Sequence, residues 1–197
     1  MAFNYSDAPE QRSDELIPAG TVATLRLHIR RGHVGESGLL TRSKDGTCEM
    51  LDCEFVVVDG PHIRRKLWER YVLSGTTAGQ ETAVNISRGK LRAILESARG
   101  IKPDDMSEQA RNARTANLSD FDGLRFMAQI GIERGKPKND GTGESYSDRN
   151  VIATIITPDK KNWHAIEQAP PFSAGPNGGG IVPAPATIQP PAWARAT

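Results

Sequence analysis

The sequence predicts a mainly β domain of the α+β class, with five strands, a helical insertion between the third and fourth, and a long final β-hairpin. Three observations carry this expectation. Apolar and polar side chains alternate with a period of two in separate short stretches. One stretch in the middle of the chain changes to helical spacing. Segments rich in Gly, Pro, Asp and Ser separate them.

In the first strand, from Thr21, Ala23, Leu25, Leu27 and Ile29 face one way while Thr24, Arg26, His28 and Arg30 face the other, giving a half-buried strand with a basic outer face. Residues 32–46 (GHVGESGLLTRSKDG) are Gly-rich, charged and too long for a tight turn, so an extended connecting loop is expected. In the second strand Leu51, Cys53, Phe55 and Val57 alternate with Asp52, Glu54, Val56 and Val58, until Asp59, Gly60 and Pro61 supply turn chemistry. The third strand, residues 63–73, contains RRKLWERYVL. Alternation sends Leu67, Tyr71 and Leu73 inward and Arg64, Lys66, Trp68, Arg70 and Val72 outward. Arg65 and Glu69 share the inward phase, which places them near an end or an edge of the sheet.

SGTTAGQ breaks the sheet, and Val84, Ser87, Leu91, Ile94, Leu95 and Ala98 then recur at helical spacing up to Gly100, with Pro103 beyond. A second, polar helix is expected around residues 107–114, where Asp104, Asp105 and Glu108 suit a helix start. Alternation resumes with Leu124, Phe126, Ala128, Ile130 and Ile132 and again over residues 150–157, around the polar excursion RGKPKNDGTGESYSD. Residues 1–14 carry no periodicity and are expected to be a flexible arm, with the folded domain over 15–166. Residues 167–197, rich in Pro, Gly and Ala with no acid after Glu167, are expected to be a disordered tail. Three antiparallel strands, an interposed helix and two more strands is the element order of a small five-stranded OB-type β-barrel.

With 25 Lys and Arg against 24 Asp and Glu, the net charge is +1, so any basic site must be local. No apolar run approaches the roughly 18 residues of a membrane span and no basic leader precedes a short apolar stretch, so a cytoplasmic protein without membrane association is expected. Cys48 and Cys53 lie five apart in one strand and face opposite ways, which prevents a disulfide between them. His28, His33, His62 and His164 do not cluster at zinc-like spacing, so no metal is expected. Phosphate-loop, nucleophile-elbow and His-Glu-x-x-His patterns are missing, and neither catalytic residues nor a cofactor are expected.

Barrels of this kind bind single strands across a sheet face and through flanking loops, with cations following phosphates and aromatic rings stacking on bases. Arg64, Lys66 and Arg70 around Trp68, with Arg26, His28 and Arg30 from the first strand, form one candidate patch. The hairpin tip is the second, with Arg134, Lys136 and Lys138 before its glycines, Tyr146 after them, and Arg149 beyond. The plain alternatives are an ordinary polar strand face with Trp68 covered by a helix or loop, and a charged, soluble connector.

Several stretches together resemble small phage and prophage single-stranded DNA-binding proteins of the OB-fold type, found among replication and recombination genes. These are ELIPAGTVATLRL entering the first strand, LDCEFVVVDGPHIRRKLWERYVLSG as a strand pair, LRAILESARGIKP as the helix, and FDGLRFMAQIGIERGK with YSDRNVIATIITP as the closing hairpin. The resemblance implies a non-catalytic protein that binds single-stranded DNA with little sequence preference in phage or mobile-element replication or recombination. Enzymes of those processes are its implied partners. The chain departs from many bacterial single-strand binding proteins in ending PPAWARAT, with Trp193 and Arg195 and no acidic tip. The rival expectation is an interaction or structural module with a Pro-rich docking tail, which the near-neutral charge favours. A metal-dependent nuclease using Asp52, Glu54 and Asp59 ranks third. The oligomeric state stays open, a homo-oligomer included.

Overall fold

In the computed structural model, which describes residues 15–139 and 142–168, the alternating stretches form antiparallel strands packed under one long helix. The strands are β1 (Val22–Arg30), β2 (Thr41–Arg42), β3 (Cys48–Val57), β4 (Lys66–Gly75), β5 (Arg125–Glu133) and β6 (Arg149–Ile156). Between β4 and β5 lie α1 (Ala78–Arg99), α2 (Glu108–Ala113) and a 3-10 turn, Leu118–Phe121. The expected arm, 1–14, and residues 169–197 of the expected tail fall outside the described residues. The tail's first two residues, Glu167 and Gln168, are not free as expected, because Arg125 donates to both and Gln168 donates to Ala98 O.

β3 pairs with β1 along one edge and β4 along the other; β1 also pairs with β5, and β5 with β6. Inward residues of these strands make the core, with Leu25, Leu27, Leu51, Phe55 and Phe126 fully buried. The Phe55 ring meets Phe126 and Tyr71 edge-on, at centroid distances of 5.7 and 6.3 Å. Leu91, Ile94, Leu95 and Ala98 of α1 close the core from one side. The thiols of Cys48 and Cys53 are free, and burial pushes that of Cys53 well above its usual range.

The sheet departs from the expected five-stranded barrel in two ways. Part of the anticipated loop 32–46 is structured: Val34 bridges Leu40, and β2 pairs with Met50 and Glu49 of β3, making a sixth strand. Among the described residues no backbone ladder joins β4 to β6, so the sheet is open. Glu69 spans that gap instead. Its Oε1 accepts the Ile152 backbone N–H at 3.0 Å and its Oε2 pairs with Lys90 of α1 at 3.0 Å. A carboxylate in the inward phase is tolerated because it stands at this edge, with both oxygens engaged.

The third strand also begins later than its alternation suggests. Residues 61–64 form a turn, and Arg64 has a φ of 70°. That left-handed conformation is strained for a residue with a Cβ, and it takes Arg64 off the strand. Its N–H donates to Val57 O at 2.8 Å, while Arg65 donates to Glu15 O.

Helix α1 starts earlier than its apolar stripe, because SGTTAGQ contains its cap. Thr77 Oγ1 accepts the Gln80 N–H, and Gln80 Oε1 accepts the Thr77 N–H at 3.1 Å. Gly100, at φ 68°, ends the helix in the left-handed conformation that favours glycine. Ser87 and Ser97, within the inward stripe, accept the backbone N–H groups of Val72 and Met127 at 2.9 and 3.0 Å, fastening the helix to β4 and β5. Beyond β6, Trp163 donates to Ser97 O, and Gln168 bonds Ala98 O and both backbone groups of Arg125. Among the described residues no helix is long and apolar enough to cross a membrane.

Replacing Glu69 by Ala removes the bridge, leaving the Ile152 N–H without its acceptor and Lys90 with only the Tyr71 ring, 5.9 Å away, which should cost about 2–3 kcal/mol of stability. Gln at this position keeps an acceptor for Ile152 and should cost roughly half as much. Urea unfolding of the two variants measures the difference; equal losses would show that the edge bridge does not hold β6.

Candidate nucleic-acid interface

The registers of β1, β3 and β4 arrange the outward residues in three cross-strand rows. Arg30, Asp52 and Arg70 form one, His28, Glu54 and Trp68 the next, and Arg26, Val56 and Lys66 the third. Antiparallel partners share a face, so each row lies side by side on the surface. Six of the expected residues (Arg26, His28, Arg30, Lys66, Trp68 and Arg70) are therefore brought together. Arg64 is not among them, since it occupies the turn before β4.

Trp68 is uncovered: 49% of its surface is exposed. Its indole N–H donates to Glu54 Oε2 at 3.2 Å, which tethers the polar edge of the ring. Lys66 pairs with the other oxygen, Oε1, at 2.8 Å, and Arg70 lies 3.6 Å from Asp52. Along the strands, Asp52 and Glu54 of β3 thus lie between Arg26, His28 and Arg30 of β1 and Lys66, Trp68 and Arg70 of β4. The hydrogen bond from Lys66 holds the Glu54 carboxyl below its ordinary pKa against the opposing cost of burial, with the Lys66 charge, Trp68 and His28 adding to the effect. His28 Nδ1 is 3.7 Å from Asp122, and Arg26 is half-buried with its Nε unpartnered.

Where β4 and β6 part, a cleft of about 850 Å³ opens. Arg30, Trp68 and Arg70 line it from the three-strand face, and Ile132, Arg149 and Val151 from the hairpin. Arg149 holds Glu133 through two hydrogen bonds, at 2.8 and 2.6 Å, which depress the Glu133 pKa. The same pair borders a second hollow, of about 570 Å³, lined by Arg134, Lys136 and Tyr146. The two hollows adjoin at the Glu133–Arg149 ion pair.

The hairpin continues beyond its strands. Tyr146 N donates to Lys136 O at 2.9 Å and Lys138 N to Glu144 O at 2.7 Å, so much of the predicted polar excursion is paired arm. Gly135 is required there, because a Cβ on it would lie 1.5 Å from the Tyr146 carbonyl oxygen. Tyr146 is exposed, and Lys138 pairs with Glu144 at 2.6 Å. The tip residues 140 and 141 lie outside the described residues.

Sequence reasoning did not place Asp52 and Glu54 inside the basic patch, nor Ile132 and Glu133 against it. The alternation of β3 showed both carboxylates outward; which strands flank them is a matter of pairing. Asp59 is not with them: its Oδ1 accepts the Thr24 N–H at 3.1 Å. Among the described residues no three His, Cys, Asp or Glu side chains group as a metal would require.

In comparison with known proteins the chain finds no match, whether to a family model, a curated protein or a solved structure.

Protonating Glu54 turns the charged acceptor of the Trp68 N–H into a neutral one and so weakens the tether. A carboxyl whose folded pKa is depressed stabilises the fold above its unfolded pKa, and that contribution is lost as pH falls through the folded value. The Trp68 indole N–H resonance should therefore shift with a midpoint below 4.5, the ordinary value for Glu54. A midpoint at or above 4.5 would show that the Lys66–Glu54 pair does not form in solution.

Proposed function

We propose that this protein is a non-catalytic, largely sequence-independent single-stranded DNA-binding protein. Its open sheet is a variant of the OB-type barrel, and its setting is phage or mobile-element replication or recombination in the cytoplasm. The observation that carries the reading is the half-exposed indole of Trp68 among Arg30, Lys66 and Arg70, beside a cleft whose far wall is a basic hairpin. Such a surface suits a flexible strand, with cations along the phosphodiester and aromatic faces for successive bases. In this reading Arg26, Arg30, Lys66 and Arg70 follow phosphates and Trp68 stacks a base. Arg134, Lys136 and Tyr146 act from the hairpin arm, with Arg149 at the junction. The element order β1, β3, β4, helix, β5, β6, with β1 between β3 and β5, supports the barrel relationship. Replication or recombination enzymes are the proposed protein partners.

One observation favours a second reading, a module that docks a protein partner: the carboxylates of Asp52 and Glu54 stand in the middle of the basic face, where a polyanion meets repulsion. A titration of fluorescein-labelled oligo-dT at low salt separates the two. The DNA reading expects micromolar or tighter binding, with affinity falling in salt by a logarithmic slope of about 0.7 per phosphate contact. Trp68→Ala should weaken binding about five- to a hundredfold, the loss of one stacked base. Absence of binding at low salt would reject the DNA reading, and unchanged affinity in a folded Trp68→Ala protein would remove this ring from the site.

A further inference from the structure

Among the described residues, Glu54 is the one acid on the face that engages two of the proposed DNA-contacting side chains at once. One oxygen holds the Lys66 ammonium at 2.8 Å and the other the Trp68 indole N–H at 3.2 Å. The Glu54 side chain is 20% exposed, while that of Lys66 is 49% exposed. The cation is therefore reachable from solvent while its counter-charge sits beneath it. Asp52, by comparison, stands 3.6 Å from Arg70, a longer and weaker contact.

Resting on the single-stranded DNA reading, we infer that Glu54 is a built-in competitor for the strand. It occupies Lys66 and Trp68 in the free protein, and a backbone phosphate must displace it from Lys66 for the face to engage. A phosphate oxygen offers Lys66 the same kind of charge-assisted acceptor that the carboxylate does, so the exchange replaces one ion pair by another. The step breaks and forms no covalent bond. Its consequence is electrostatic. Where a phosphate binds a free cation, the counter-ions condensed on the DNA are released. At Lys66 the displaced carboxylate must itself recruit a cation from solution, so this contact releases almost none. The same exchange loosens the carboxylate that holds the indole edge, while the exposed part of the ring is open to a base already. The face thereby trades affinity for easy release, which suits a protein that must vacate the strand for an enzyme that follows it.

The test is the salt dependence of oligo-dT binding in four proteins: wild type, Glu54→Gln, Lys66→Gln and the double variant. Gln keeps the size of Glu54 and removes its charge. Glu54→Gln should tighten binding about two- to fivefold at low salt. It should also steepen the logarithmic salt slope by about 0.7, the value of one newly uncompensated phosphate contact. Lys66→Gln alone should leave the slope nearly unchanged, and should abolish the added slope when combined with Glu54→Gln. Asp52→Asn should give a smaller gain than Glu54→Gln. Weaker binding by Glu54→Gln, or an unchanged slope, would overturn the inference while leaving the DNA reading in place if wild type binds. Absence of wild-type binding would overturn both. Should Glu54→Gln not fold, a Lys66→Gln slope shallower by a full 0.7 than wild type would overturn it alone.

Discussion

Strand β3 is hydrogen-bonded along both edges, to β1 from Asp52 to Val57 and to β4 along nearly its whole length. Most of what this protein presents follows from that placement. The inward side chains of β3, Leu51, Cys53, Phe55 and Val57, become the centre of the core. Its outward side chains must lie between those of β1 and β4. Two carboxylates are thus set among cations in fixed register, and the ion pairs and the Trp68 tether are consequences of backbone pairing. Slipping β3 by one residue would turn Asp52 and Glu54 into the core and Phe55 out of it, so burial protects the register that builds the face.

The open edge is the second structural theme. A sheet that curls without closing leaves backbone groups to satisfy, and here side chains do it: Glu69 takes the Ile152 N–H, and Ser87 takes that of Val72. Helix α1 is held to its own exit by a buried acid. Glu96 accepts from both Arg92 and Arg114 at 2.8 and 2.7 Å, while Arg114 also donates to the carbonyls of Lys102 and Asp105. Two cations and several backbone acceptors share that cluster, so Glu96 is compensated although almost fully buried. The cleft beside Trp68 is the space that an unclosed sheet leaves. Its walls stay apart because the bridging group is a side chain, which spans more distance than a backbone ladder.

Much of this architecture was legible in the sequence. The alternation of β1, β3 and β5 and the stripe of α1 are local periodicities; each marked its element, although the stripe missed the first turns of α1. Glu69 was marked as an edge residue because a charge in the inward phase has few other places to be. Reading failed where the decisive feature was not periodic. Arg64 continues the alternation of β4 yet belongs to a turn, because the backbone must reverse after Pro61 and accepts a left-handed residue to do so. Thr41 and Arg42 pair with β3 without any alternating signal, their strand being two residues long. The hairpin arm looked like loop because Gly, Pro and Lys fill it, although its backbone is paired as far as Lys138 and Glu144.

By itself the sequence determined which side chains point outward, Arg26, His28, Arg30, Lys66, Trp68 and Arg70 among them, since that depends only on the two-residue period of a strand. Only the tertiary structure decided their neighbours and their cover. Pairing between distant segments put Glu54 between His28 and Trp68 and left no helix over the indole. Burial depends on which elements pack across the sheet, and no short window of sequence contains that information. RRKLWERYVL therefore announced a cationic strand around a tryptophan, and the fold made it an exposed ring held by a carboxylate at the mouth of a cleft.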